Sequence, residues 1–217
     1  FKELGAPERM QINRPNVFLT WLDTQFKWIE DRFFPSPFHV HGRSRWNVQP
    51  TPPWLASENA VLVEYMTGYR MTFRTDVVRR YGFDEKMRGY PFNDDVDISF
   101  SVMQSHLIVG ARKAKIYHHR APGNRAAGTT RGIMANLNRA YLICKHSPRN
   151  SHARHCLKRF MWYKLLRYLL QTHSSFGRQR VVGTWQMLGY VNRLLDAQPE
   201  NLSTVYLQIL GECLPRK

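Results

Sequence analysis

The sequence predicts an α/β fold: a mixed portion over residues 1–146, followed by a helical basic extension over 147–217. Short β-branched runs alternate with helical periodicity up to about residue 146, and helical periodicity alone follows Ser147. Of the 217 residues 43% are hydrophobic and 22% charged, a balance that buries a core and excludes a disordered chain. At a prior of roughly 150 residues per domain, one domain with an appendage is expected.

Asn16 is placed to cap a helix reaching to about Phe34, because Leu19, Leu22, Phe26, Ile29 and Phe33 recur at three- and four-residue spacing. From Pro35 to Pro53, five prolines with His39, His41, Arg43 and Arg45 predict an irregular surface excursion. Ala60 to Met66 reads as a buried strand that stops at Thr67-Gly68. Thr75 opens a short helix through Tyr81, with Gly82 where a left-handed cap is wanted. Asn93-Asp94-Asp95-Val96-Asp97 opens another, with Val96, Phe100 and Met103 on one stripe and acids at the positive end of the helix dipole.

Leu107 to Ala111 and Ala114 to Tyr117 read as strands, the second running into His118-His119 and the basic loop RAPGNRAAGTTR. Thr130 or Gly132 begins a helix in which Ile133, Leu137, Tyr141 and Cys144 share a face. Three helical patterns follow, over about 153–172, about 179–196 with Val182, Trp185, Leu188 and Leu195, and about 202–213.

Thirty-two Lys and Arg against 16 Asp and Glu leave a net charge of +16, which favours an anionic partner: nucleic acid, a phosphate-bearing substrate or an acidic membrane surface. Nucleic acid is disfavoured, since no recognised binding motif is present and the charge is spread over loops and tail. Three widely spaced cysteines, Cys144, Cys156 and Cys213, fit a reducing compartment better than a disulfide scaffold. No run of about 18 apolar residues predicts a spanning helix. The opening Phe1, with no targeting pattern, suggests a fragment or processed chain.

Asp94, Asp95 and Asp97 form the densest acidic cluster. Such carboxylates hold a hard divalent cation or supply a general base, or they simply cap a helix and answer its dipole. His118 is a candidate for a metal or a phosphate, or a hydrogen-bonded strand-end histidine. Arg120, Arg125 and Arg131 suit a diphosphate through their planar forks, with a solvated loop as the alternative. Cys144, His146, His152, His155 and Cys156 invite zinc, but their spacing fits no usual site. His39 and His41 read as loop decoration. WYKLLRYLL, from Trp162 to Leu170, either lies on an anionic membrane, with Lys158, Arg159, Lys164 and Arg167 assisting, or packs on the domain with its cations snorkelling outward.

Gly68, Phe73-Arg74, Gly82-Phe83-Asp84-Glu85, Asp94-Asp95-Val96-Asp97 and His118 stand in an order that resembles the second half of the catalytic domain in family 2 glycosyltransferases of GT-A fold. The resemblance covers about 80 to 90 residues, from Glu64 to His146. It implies a partial GT-A domain over 1–146 and transfer of a sugar from a nucleotide-diphospho-sugar donor to a carbohydrate or lipid-linked acceptor, with inversion. It implies Asp95 as the catalytic base, with Asp94, Asp97, Gly68 and Arg74 on the acceptor side. His118 falls near a divalent metal, Mg or Mn, and Arg125 near the diphosphate. Asp94 stands where the family usually has Glu, and the family's donor-side D-x-D motif has no counterpart, so the chain is expected to be the acceptor-side part of an enzyme. Cell-surface polysaccharide or glycolipid synthesis, in the cytoplasm or at the cytoplasmic face of the membrane, is the implied setting. The alternative is a non-catalytic basic module that binds membrane or nucleic acid.

Overall fold

The computed structural model describes residues 17–46, 52–88, 92–115, 117, 128–170, 172 and 174–214. Helix accounts for 68% and strand for 4%, which overturns the α/β expectation and the partial GT-A domain with it. The sheet is one antiparallel pair of three-residue strands, β1 (Ala60–Leu62) and β2 (Val109–Ala111), with Ala60 opposite Ala111 and Leu62 opposite Val109. The Val63 N–H still bonds the Ile108 carbonyl at 3.1 Å, but the chain then turns in 3-10 geometry at Gly68–Arg70. Ala114 closes a turn onto the Ala111 carbonyl, so the strand expected from there does not form over Ala114 and Lys115. A short apolar run signals burial, and burial alone does not choose strand pairing.

The helices begin with α1 (Val17–Phe33), close to the expected bounds. It is tied to α7 (His152–Leu169), whose Tyr163 hydroxyl donates to the Phe26 carbonyl at 2.7 Å and whose Lys164 reaches Glu30 at 2.9 Å. The predicted Pro35–Pro53 excursion is instead helical over α2 (Pro37–Arg45). Pro37 sits in the first turn, where its missing N–H costs nothing. Phe38 and His41 are buried against the Phe100 ring, at centroid distances of 5.8 and 4.4 Å, so His41 is part of the core rather than loop decoration.

After α3 (Trp54–Ser57), α4 (Thr75–Tyr81) ends as expected at Gly82, whose φ of 61° is paired with an extended ψ of −177° rather than a left-handed helical one. In α5 (Asp94–Val102) and the residue that follows it, Val96, Phe100 and Met103 are buried. They face α6 (Gly128–His146), in which Ile133, Leu137, Ala140 and Ile143 are almost wholly buried. Against α6 lie α8 (Ser175–Asp196) and α9 (Leu202–Cys213). One cluster of buried side chains runs from Phe38 to Cys213 and takes residues from both sides of residue 146. The buried stripe of α8 is Thr184, Met187, Val191 and Leu194, while Val182 and Trp185 of the expected stripe face outward. No helix among the described residues is long and apolar enough to cross a membrane.

Candidate functional site

The start of α5 is held from three directions. Tyr206 of α9 donates to the Asn138 side chain at 2.9 Å, and the Asn138 amide donates to the Phe92 carbonyl at 2.7 Å. Asn93 then takes a left-handed conformation, φ 69°, which asparagine tolerates better than most residues. That turn points Asp94 and Asp95 into the first turn of the helix.

Asp95 Oδ2 accepts the Gly68 N–H at 2.9 Å, and Oδ1 accepts the Val96 N–H at 2.9 Å. Ser99 bonds the Asp95 carbonyl through its hydroxyl at 2.6 Å and accepts the Met66 N–H at 3.1 Å, which fastens the 65–70 segment to the helix. A glycine turn and an acidic helix start 27 residues apart thus share one carboxylate. Burial pushes the Asp95 pKa up; the Gly68 and Val96 N–H groups pull it down; the Asp94 charge adds to the upward push, and the net shift is upward. A carboxyl raised in this way is a stronger base than a solvated aspartate. Asp94 itself accepts the Asp95 N–H at 2.9 Å.

Tyr65, which the sequence did not single out, is electrostatically coupled to Asp95, and Arg139, likewise not singled out, is coupled to Tyr65. Tyr65 has its pKa raised chiefly by burial, with Arg139 acting against the rise and Glu64 and Asp95 adding to it. The Arg139 guanidinium lies over the Phe38 and Phe160 rings, 5.2 and 4.9 Å from their centroids, and its Nε has no hydrogen-bond partner among the described residues. Burial lowers its pKa. The signal available in the sequence was a lone cation inside a stretch of α6 that is otherwise apolar or amide-bearing. A cleft of about 380 Å³ borders the same segment, lined by Tyr65, Thr67, Arg70 and the β2 backbone.

Asp97 points elsewhere. It is 2% exposed, accepts two contacts from Lys145 Nζ at 2.9 and 3.0 Å, and lies 2.6 Å from His146 Nε2. Lys145 also reaches Asp84 at 2.8 Å, as does the Tyr141 hydroxyl. Burial would raise the Asp84 pKa, but the Lys145, Lys86 backbone and Tyr141 bonds outweigh it and hold the carboxyl below its usual range. A larger cleft, about 650 Å³, opens over this cluster. Asp84 and Asp97 are already paired there, and Asp95 lines neither cleft.

Arg74 is exposed and bonds Asp76, at 3.1 and 3.2 Å, rather than Asp94 or Asp95. His118 and Arg125 lie outside the described residues, as does Arg120. The zinc candidates disperse: His146 is engaged by Asp97, Cys144 is buried, and only His152 and Cys156 adjoin, at 3.4 Å. No group of three metal-ligating side chains occurs among the described residues, and the burial of Asp97 removes Asp95-Val-Asp97 as a chelating pair. No family model, curated protein or solved structure matches the chain.

Proposed function

We propose that the chain carries the acceptor-side base of a glycosyl transfer. A sugar passes from a nucleotide-diphospho-sugar to a hydroxyl of a carbohydrate or lipid-linked acceptor, with inversion. The observation that supports this reading is the Asp95–Gly68 contact, which joins two motif pieces distant in sequence around a half-buried carboxylate of raised pKa. Asp95 takes the acceptor proton as the hydroxyl oxygen attacks the anomeric carbon, and the bond to the diphosphate breaks with its electron pair leaving on phosphate oxygen. Asp94 keeps the base strong by like-charge repulsion. Asp97 takes no part, being committed to Lys145 and His146.

His118 and Arg125 belong to the same proposal as groups near the leaving diphosphate, with Mg or Mn as the cation. The described residues do not supply a ligand set for that cation, so no step is drawn through it. The setting proposed is cell-surface polysaccharide or glycolipid synthesis at the cytoplasmic face of a membrane.

Asp95→Asn tests the assignment in the longest natural form of the chain, assayed with a panel of nucleotide-diphospho-sugars and acceptors. Asparagine offers one acceptor oxygen to the two N–H groups that the carboxylate serves, so about 1 kcal/mol of stability is lost. Turnover should fall by roughly 10²-fold or more while donor binding changes little. Near-normal turnover in that variant would remove the catalytic role.

A further inference from the structure

Helix α7 is apolar on two sides. Its inner face buries Leu157, Phe160, Met161 and Leu165 in the core. Its outer face carries Trp162, Leu166 and Leu169, spaced four and three residues apart, with Leu170 just past its end, all exposed. Beside them α8 presents Val182 and Trp185, the latter 62% exposed. The two indoles meet edge to face, with centroids 5.9 Å apart and planes at 79°, so the two helices contribute to one continuous patch. A surface helix normally needs only one apolar stripe, and a second one on the outside marks a surface that meets another apolar phase.

Charge identifies that phase. Between Asp97 and Asp196 the sequence has no Asp or Glu, yet this stretch holds more than half of the chain's 32 Lys and Arg. Lys158 is exposed one turn before Trp162 on the same stripe; Arg159 beside it is exposed too, but its guanidinium donates to the Phe33 carbonyl at 2.9 Å. Arg178 is exposed at the start of α8. Lys164 and Arg167, expected from sequence to share this task, are instead directed to Glu30 of α1 at 2.9 and 3.5 Å.

We infer that the outer face of α7 and α8 is a peripheral membrane-binding surface whose partner is a bilayer containing anionic lipid. Indole rings settle at the boundary between headgroups and acyl chains, the leucines enter just below it, and Lys158 and Arg178, the latter also bonded to the Thr172 carbonyl at 2.9 Å, meet lipid phosphate and carboxylate. With no acid on α7 and none on α8 before Asp196, the face favours a negative surface over a zwitterionic one. The surface works independently of sugar transfer, so vesicle binding needs no turnover and its failure leaves the Asp95 assignment untouched.

The test is sedimentation of the 217-residue chain with vesicles of phosphatidylcholine alone and of phosphatidylcholine mixed with phosphatidylserine, over a range of salt. Binding to the mixed vesicles should fall steeply as salt rises, and the indole emission should shift to shorter wavelength on binding. The double variant Trp162→Ser, Trp185→Ser changes exposed positions only, and its fold is checked by thermal unfolding; its partition should fall at least tenfold. Lys158→Glu should weaken binding by about fivefold or more. Equal binding to both vesicle types, none to either, or undiminished binding by the folded double variant would overturn the inference. So would a solution dimer that the double variant dissociates, or retention on duplex DNA that survives in the double variant and competes with vesicles.

Discussion

Gly183 stands where α8 crosses α6 at its closest. A β-carbon there would lie 2.6 Å from the Thr129 carbonyl oxygen, 2.9 Å from the Ile133 nitrogen and 3.0 Å from the Gly132 carbonyl carbon. All three are backbone atoms, which no rotamer change moves aside. In an unobstructed helix interior, alanine in place of glycine stabilises by about 1 kcal/mol. At Gly183 the methyl group must push α6 and α8 apart, loosening fully buried Met134, Leu137, Met187 and Val191, and overpacking of this kind costs about 1–3 kcal/mol. Gly189 lies on the same helix with no atom within 4 Å of its β-position, so there the ordinary helix gain should appear. Both variants share the helix gain, so Gly183→Ala should be less stable than Gly189→Ala by the overpacking cost, about 1–3 kcal/mol. For a chain of this size that separates their Tm values by roughly 2–12 °C, measurable by thermal and urea unfolding of both variants alongside the parent. A Gly183→Ala protein as stable as Gly189→Ala would refute the close crossing of α6 and α8.

Burial, with the His146 and Arg45 charges adding, lowers the His41 pKa from 6.5 to about 3. The unfolded chain therefore takes up the proton first. The contribution of neutral His41 is complete above pH 6.5 and is lost progressively as pH falls towards 3. Between pH 7 and 5 this amounts to about 2 kcal/mol at 1.36 kcal/mol per unit, and urea titrations should show His41→Gln, which does not titrate, losing correspondingly less; parallel losses would count against it. Asp97→Asn removes the charge facing Lys145 and His146 and should cost about 3 kcal/mol of stability, read as a lowered denaturant midpoint, while leaving turnover per folded molecule unchanged, the reverse of Asp95→Asn. An Asp97→Asn protein of parental stability would show that the buried pair does not support the fold.

Most helices were legible because their signals are local. The stripe of Val96, Phe100 and Met103, the Gly82 cap and the periodicity of α6 to α9 all lie within a few residues of the structure they specify. Helix α2 was not legible, since the prolines around it and its two histidines read as a loop until Phe38 finds Phe100 and His41 finds Ser147, 106 residues away. Two expected strands form only in part, as Ala60–Leu62 and Val109–Ala111, for the same reason: an apolar run becomes a sheet only through partners elsewhere in the chain, and here each strand found a single three-residue mate.

Sequence alone determined that the chain buries a core, that it is strongly basic, and that acids cluster at one helix start with a glycine turn upstream. These follow from composition and short-range spacing. Tertiary structure decided what each acid does. Asp95 and Asp97 are two residues apart on one helix, which turns them to different faces, and the neighbours on those faces come from distant segments: Gly68 for one, Lys145 and His146 for the other. It also decided that Trp162 and Trp185 face outward, because a helix apolar on two sides gives the core a choice of stripe that only the packing of α7 on α2, α6 and α8, and of α8 on α6, resolves.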